Sequence, residues 1–285
     1  MTFPSVVALR DGLRALGYVE GETIMLEYRW AAGRVEALPS LAAELVRLNV
    51  DILYATGPQA MRAAIGASRT IAIVGNDLEH DPVESGYVAS LGRPGGNVTG
   101  MFLNLPDLTG KWLQLIREVA PTARRVAVLW DATTGPDQLR AMRSAAQAAM
   151  VDLQVLEVRS PAEYPGALTS AMKGRPQALI LLSSPLIRQA SPLIAEFTLK
   201  NRLPAISMFR LFAESGGLLA YGPDLLAFFG RSASYIDKIL KGAKSGDLPV
   251  EQPTRFELVL NRKTAKALGL TIPQTLLLRA DEMIQ

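Results

Sequence analysis

The run "DILYATGPQAMRAA", residues 51–64, is an apolar stretch that stops at Thr56-Gly57-Pro58 and passes at once into a helical pattern. A helix that starts at the carboxyl end of a strand aims free backbone N–H groups outward, and such a terminus suits an anionic group. Thr56 adds a hydroxyl beside it. The same arrangement occurs in any strand–helix connection, so this segment alone defines no site. Polar and aromatic residues recur at the same kind of position, however. Asp77 follows an apolar run ending at Val74, and Asp131 follows "RVAVLW". Ser183 and Ser184 follow "ALILL", Phe209 and Arg210 follow "AISM", and Tyr221 and Asp224 follow "GLLA". Carboxylates there accept bonds from an ammonium, hydroxyls serve as donor or acceptor, and rings pack on an apolar group. Singly, each of these residues also caps helices or forms turns. Their recurrence after strands of two separate series is the informative point, because ligands of open α/β sheets sit outside the carboxyl ends of the strands.

Catalytic and cofactor chemistry finds little support. The chain has one histidine, His80, and no cysteine. Disulfides and thiolate metal sites are therefore excluded, and a Ser-His-Asp triad would have to use His80 without any G-x-S-x-G elbow. Residues 76–85, "NDLEHDPVES", carry Asp77, Glu79, Asp81 and Glu84, but their spacing matches no calcium-binding loop. No Gly-rich phosphate loop ending in Gly-Lys-Ser/Thr is present. "GRPGGNVTG", residues 92–100, departs from the dinucleotide fingerprint and does not lead from a strand into a long helix. No metal, cofactor or catalytic residue is expected.

The elements that must position the strand-end residues alternate along the chain. Leu38, Leu41, Leu45 and Leu48 mark the apolar side of a helix from about Val35. Strands are expected at 51–55, 70–74 and 86–90, with a helix at 58–68 and a Gly/Pro turn at 92–97. A second series follows a break near residues 100–107. Its helices are expected at 108–119, 136–150, 164–172 and 192–201, and its strands at 125–130, 153–158, 178–183 and 205–208. Strands this apolar, separated by helices, predict parallel sheets covered on both faces. The final part differs: a strand and turn at 216–224, a long helix at 225–241, a polar connection at 241–254, a strand at 255–261 and a short helix at 262–268.

Of the 285 residues, 49% are hydrophobic and 20% charged, as in a globular protein, and the formal charge is only +3. The charge signs are mixed and Arg124-Arg125 is an isolated basic pair, so no nucleic-acid partner is expected. No window supplies the roughly 20 apolar residues of a membrane span. "MTFPSVVALR", residues 1–10, lacks the basic start and full apolar core of a signal peptide.

Taken in order, a set of longer stretches resembles the substrate-binding proteins of ABC transporters, in the family that includes tryptophan- and tyrosine-type binding proteins. These are "LRALGYVEGETIMLEYRWAAGR" (13–34), "LPSLAAELVRLNVDILYATG" (38–57), "VASLGRPGGNVTG" (88–100), "GGLLAYGPD" (216–224), "YIDKILKGAKSGDLPVEQPTRFELVLNRKTAKALGLTIP" (235–273) and "LLLRADEMI" (276–284). The resemblance implies a type I periplasmic-binding-protein fold: two Rossmann-like α/β lobes with parallel sheets, joined by three crossing strands and closing on a ligand by a hinge. Lobe one is expected at 1–104 and 216–249, and lobe two at 105–215 and 250–285. Such proteins carry a leader and then a first strand of the type "IGVLS". Here that strand is missing and the chain begins almost at its first helix. The resemblance also implies export to the periplasm or cell envelope, a permease and an ATPase as partners, and a monomer.

With that fold, the expected ligand is a small carboxylate-bearing molecule, best an aromatic or large apolar amino acid. The helix start at Pro58, with Thr56 and Gly57, would receive the carboxylate; Asp224 or Asp77 would pair with the ammonium; Phe209 and Tyr221 would pack on the side chain. Asp131, Ser183 and Ser184 complete the expected ligand set. Two other readings stay open at this point: a cytosolic small-molecule sensor on the same fold, and an enzyme on the same scaffold.

Overall fold

Apolar residues spaced three and four apart build the helices, and short β-branched or leucine-rich runs between them build the strands. The computed structural model describes residues 4–285, and side chains from residue 5 onward. In chain order the elements begin with α1 (Pro4–Ala15), α2 (Leu38–Arg47), β1 (Ile52–Thr56), α3 (Pro58–Ala67), β2 (Ala72–Asp77) and β3 (Val98–Phe102). Then come α4 (Thr109–Val119), β4 (Arg125–Asp131), α5 (Asp137–Ala148), β5 (Asp152–Val158), α6 (Tyr164–Lys173) and β6 (Ala178–Leu181). The chain continues through α7 (Pro185–Gln189), α8 (Ser191–Lys200), β7 (Ala205–Ser207), α9 (Arg210–Glu214), β8 (Leu219–Pro223) and α10 (Leu225–Leu240). It ends with β9 (Phe256–Asn261), α11 (Arg262–Ala267), α12 (Gln274–Leu277) and β10 (Glu282–Ile284).

These elements form two compact units. One runs to Asn104 and resumes over Asp224–Thr254; the other comprises Leu105–Pro223 and Arg255–Gln285. The chain therefore passes between units after Asn104, Pro223 and Thr254. The second and third passages fall later than the expected positions near 215 and 250. The reason is hydrogen bonding. β8 is held between β7 and β9, so the chain stays in the second unit through Pro223. At the third passage Glu251 N–H donates to Gly100 O at 3.0 Å and Glu251 O accepts from Phe102 N at 3.0 Å, which keeps residue 251 in the first unit.

In the first unit the sheet runs β1-β2-β3, all parallel, with Thr56 opposite Asn76 and Gly75 opposite Gly100. α3 packs on β1 and β2, while α10 packs on α1, β2 and β3. Leu13, Val74, Met101, Phe228 and Tyr235 fill one layer of the core, and Leu53, Met61, Ile73 and Phe102 another. The strand expected at 86–90 does not form. Tyr87 N and Val88 N both donate to Pro82 O at 2.9 and 3.2 Å, a turn pattern that leaves no ladder. Val88 is nonetheless buried, and its apolar neighbours gave the segment a strand-like appearance. The third strand is β3, which runs from the turn at 92–97 into the expected break near 100–107.

The second unit has one sheet of order β10-β9-β8-β7-β6-β4-β5. Every neighbouring pair is parallel except β8–β9. The antiparallel pair arises because the chain leaves the unit after β8 and re-enters at β9. Ala127, Leu129, Leu179 and Leu181 are fully buried in the middle of this sheet, under Leu168, Ile194 and Phe212 from the flanking helices. Among the described residues no helix is long and apolar enough to cross a membrane.

Candidate functional site

At the carboxyl edge of the second sheet, Asp131 and Ser183 follow neighbouring strands, each two residues past the last β4–β6 pair. β4 pairs β6 with Leu129 opposite Leu181, and Leu182 N donates to Leu129 O at 3.0 Å. Two residues on, Asp131 closes β4 and Ser183 lies just past β6. Asp131 is 1% exposed and Ser183 2%. Asp131 Oδ1 accepts from Thr133 N at 2.9 Å and Thr133 Oγ1 at 2.7 Å, which caps the short turn that follows. Its other oxygen, Oδ2, is buried with no hydrogen-bond partner, and so is Ser183 Oγ. The Ser183 backbone is fixed on both sides by Gln138 of α5: Ser183 N donates to Oε1 at 2.9 Å and Ser183 O accepts from Nε2 at 3.0 Å. The serine is thus locked in place while its hydroxyl is left over.

Tyr164 belongs to the same edge. It opens α6, six residues beyond Val158, which lies opposite Asp131 in the β4–β5 ladder. It is 2% exposed, and its hydroxyl is a third buried polar atom without a partner. Burial pushes this phenol up, and the charge of Asp131 adds to the rise. A buried unsatisfied group costs about 1–3 kcal/mol, so three at one strand edge form an exception that calls for a cause.

The other second-unit residues are engaged or apolar. Ser184 is fully buried and caps α7, its Oγ accepting from Ile187 N at 3.0 Å. Phe209 is 4% exposed at the start of α9. Tyr221 is half-buried and stacks on Phe256 with centroids 5.9 Å apart and planes 21° from parallel. Arg210 is consumed by ion pairs to Glu214 at 2.7 Å and Glu282 at 2.5 Å, which tie β10 to α9. Arg188 on α7 contrasts with it. Half-buried, its guanidinium is pulled down by desolvation, and among the described residues no carboxylate pairs with it.

The first unit gathers Thr56, Gly57 and Asp77 at the carboxyl edge of its own sheet. Gly57 has φ +83°, a conformation L side chains rarely adopt, and turns the chain from β1 into α3. Its N–H donates to Asn76 O at 2.7 Å. Thr56 is exposed. Asp77 is fully buried, and its oxygens are already used: Oδ1 accepts from Glu79 N at 2.9 Å and Oδ2 lies 3.2 Å from His80 Nδ1. That engagement removes Asp77 as a ready ammonium partner. Asp224 caps α10, Oδ1 accepting from Leu226 N at 3.1 Å and Ala227 N at 3.0 Å, a role that contributes about 1 kcal/mol to the helix. Asn76, which sequence reading passed over, is 2% exposed and bridges Tyr54 Oη at 2.9 Å and Ser232 Oγ at 2.9 Å.

Glu79 gives this edge a pH signature. Burial, and then the charge of Asp77, raise its carboxyl well above the ordinary value of 4.5. The folded state therefore binds a proton that the unfolded chain releases. The associated stability is complete below about pH 4.5 and is lost as pH rises through the folded value. Glu79→Gln, neutral throughout, should match the wild type in thermal midpoint below about pH 4.5 and exceed it by a growing margin as pH rises above that. A constant offset across that range would place the charge of Glu79 outside the buried cluster.

The fold with its strand-edge residues is that of a two-unit α/β binding protein. The sequence matches the family described as ABC transporter substrate binding protein over residues 4–284, and the chain belongs to it. A tyrosine-binding protein of Clostridioides difficile is 26% identical over 275 residues, covering 94% of this chain and 78% of that one. Among solved structures, a conserved domain protein from Vibrio cholerae superposes with a TM-score of 0.90 at 25% identity, over 98% of this chain and 94% of that one. An ABC domain in complex with L-Trp from Streptococcus pneumonia gives 0.88 at 23% identity, over 99% and 94%. The fold is that of type I periplasmic binding proteins, as the match to a leucine binding protein from Thermotoga maritima also shows, with a TM-score of 0.62. The family is one of substrate-binding proteins, not of enzymes.

Proposed function

We propose that this chain is the exported solute-capturing component of an ABC importer, and that its ligand is an aromatic or large apolar amino acid. The observation that carries the reading is the cluster of buried polar atoms left without partners at the carboxyl edge of the second sheet, in a chain of the substrate-binding family. Asp131, Ser183 and Arg188 supply polar contacts of both signs on that unit, and Phe209 and Tyr221 supply ring surface. The names of the relatives support an aromatic amino acid: one is a tyrosine-binding protein and another was solved with L-Trp. Delivery would be to a permease driven by an ATPase, with the chain acting as a monomer on the outer side of the membrane.

Calorimetry and thermal shift against the common amino acids and aromatic acids test this directly. At a concentration 100 times its Kd, the ligand adds about 2.7 kcal/mol of stability, which corresponds to roughly 5 °C or more in midpoint. The expected result is such a shift with one aromatic or large apolar amino acid and none with acidic ones. A panel in which no α-amino acid binds removes the amino-acid reading.

A further inference from the structure

The geometry points to Asp131 Oδ2, Ser183 Oγ and Tyr164 Oη as a three-oxygen seat for a primary ammonium group of the ligand. The inference deepens the functional reading above and rests on it. It also moves the amine away from Asp77 and Asp224, whose carboxylates have local structural partners. Three facts support it. Asp131 and Ser183 each lie two residues beyond the last β4–β6 pair, Leu129 and Leu181, and Tyr164 opens α6, which follows β5, the other neighbour of β4. All three side chains are at least 98% buried by residue, yet each retains a polar atom with no partner. The surrounding structure fixes them without using those atoms. Thr133 holds Asp131 through Oδ1, Gln138 holds the Ser183 backbone from both sides, and Tyr164 lies in the same buried cluster as Leu129, Leu156 and Leu168.

The chemistry of the seat favours an ammonium over other occupants. It offers one negative charge and three acceptor oxygens, which match the single charge and three N–H donors of R–NH₃⁺. A divalent cation prefers six or more oxygens with several carboxylates, and among the described residues no group of three or more His, Cys, Asp or Glu is placed to hold a metal ion. A ligand carboxylate would be repelled by Asp131. Preorganised acceptors of this kind also explain why the unit tolerates three unsatisfied atoms: the penalty is present before binding and is recovered when the amine arrives.

The test compares L-tyrosine and L-tryptophan with their deamino analogues, 3-(4-hydroxyphenyl)propanoate and indole-3-propanoate, by calorimetry on the full chain. Wild-type protein should favour the amine-bearing member by at least tenfold. Asp131→Asn keeps an acceptor oxygen for Thr133 but loses the charge, and it should abolish that preference. Tyr164→Phe and Ser183→Ala remove only the orphaned hydroxyls. Each should weaken the amino acid at least threefold, leave the analogue unchanged, and leave the ligand-free thermal midpoint equal or higher. A merely structural role would lower the midpoint and move both ligands together. Wild-type binding of an amino acid with unchanged affinity in Tyr164→Phe and Ser183→Ala, or equal affinity for analogue and amino acid, overturns the seat while leaving the functional reading intact. Binding of the deamino acids alone overturns the seat, and the absence of binding by any α-amino acid of the wider panel overturns the functional reading and the seat with it.

Discussion

Replacing Trp112 by alanine should destabilise the second unit by roughly 4 kcal/mol or more, the largest single effect expected anywhere in the chain. Trp112 is fully buried on α4, and α4 packs against β6 and β7. Removing a buried tryptophan side chain costs about 3–5 kcal/mol in lost burial and residual cavity. A second loss adds to it. The indole Nε1 donates to Tyr221 O at 2.8 Å, so truncation also strips a partner from the backbone of β8. Trp112→Phe separates the two contributions, since it retains most of the apolar volume and loses only the donor. Denaturant unfolding of the three proteins should rank them wild type, Phe, Ala, with the Phe variant falling by about 1–3 kcal/mol. An alanine variant within about 1 kcal/mol of wild type would mean that the core closes over the gap.

Gly100→Ala should cost the first unit about 3 kcal/mol, by a different mechanism. Gly100 sits in the middle of β3 with φ +131°, directly opposite Gly75 on β2. A methyl group there would press on the Gly75 backbone, with the Gly75 nitrogen only 2.7 Å away. Strain in φ and overpacking therefore act together. The ladder cannot yield cheaply, because Gly100 O also accepts the Glu251 N–H on the opposite side. Gly96→Ala is the control. It lies just before β3, and a Cβ there meets nothing within 4 Å. That variant should stay within about 0.5 kcal/mol of wild type or gain slightly. Equal midpoints for the two variants in thermal or denaturant unfolding would show that β3 relaxes around residue 100.

The same glycine marks where the sequence was hard to read. Helices with a clear apolar stripe, such as α2, and strands built on unbroken apolar runs, such as β4 and β6, are plain in the sequence because their pattern follows from their burial. β3 is different. Its Val98-Thr99-Gly100 follows "GRPGGN", and glycine ordinarily signals a turn. Only the close approach of β2 explains it, and that is a long-range fact. β10 is three residues long and depends on β9 for its existence. Site residues follow the same division. Asp131 and Ser183 stand out as polar residues closing apolar runs. Tyr164 does not, since an aromatic residue at a helix start reads as core. Its distinguishing property is a hydroxyl with no partner, which no sequence pattern encodes. Asn76 was obscured likewise, because its partners Tyr54 and Ser232 lie 22 and 156 residues away.

Each unit is assembled from two separated stretches of chain, and this governs the order in which the protein can be made. When residue 223 leaves the ribosome, the first unit still lacks α10, which packs on α1, and the Glu251 partner of β3. The second unit lacks β9 and β10, which complete one side of its sheet. Neither unit can close before residue 254 is made, so a product that stops short of it contains no intact unit and exposes unpaired strand edges to proteases and chaperones.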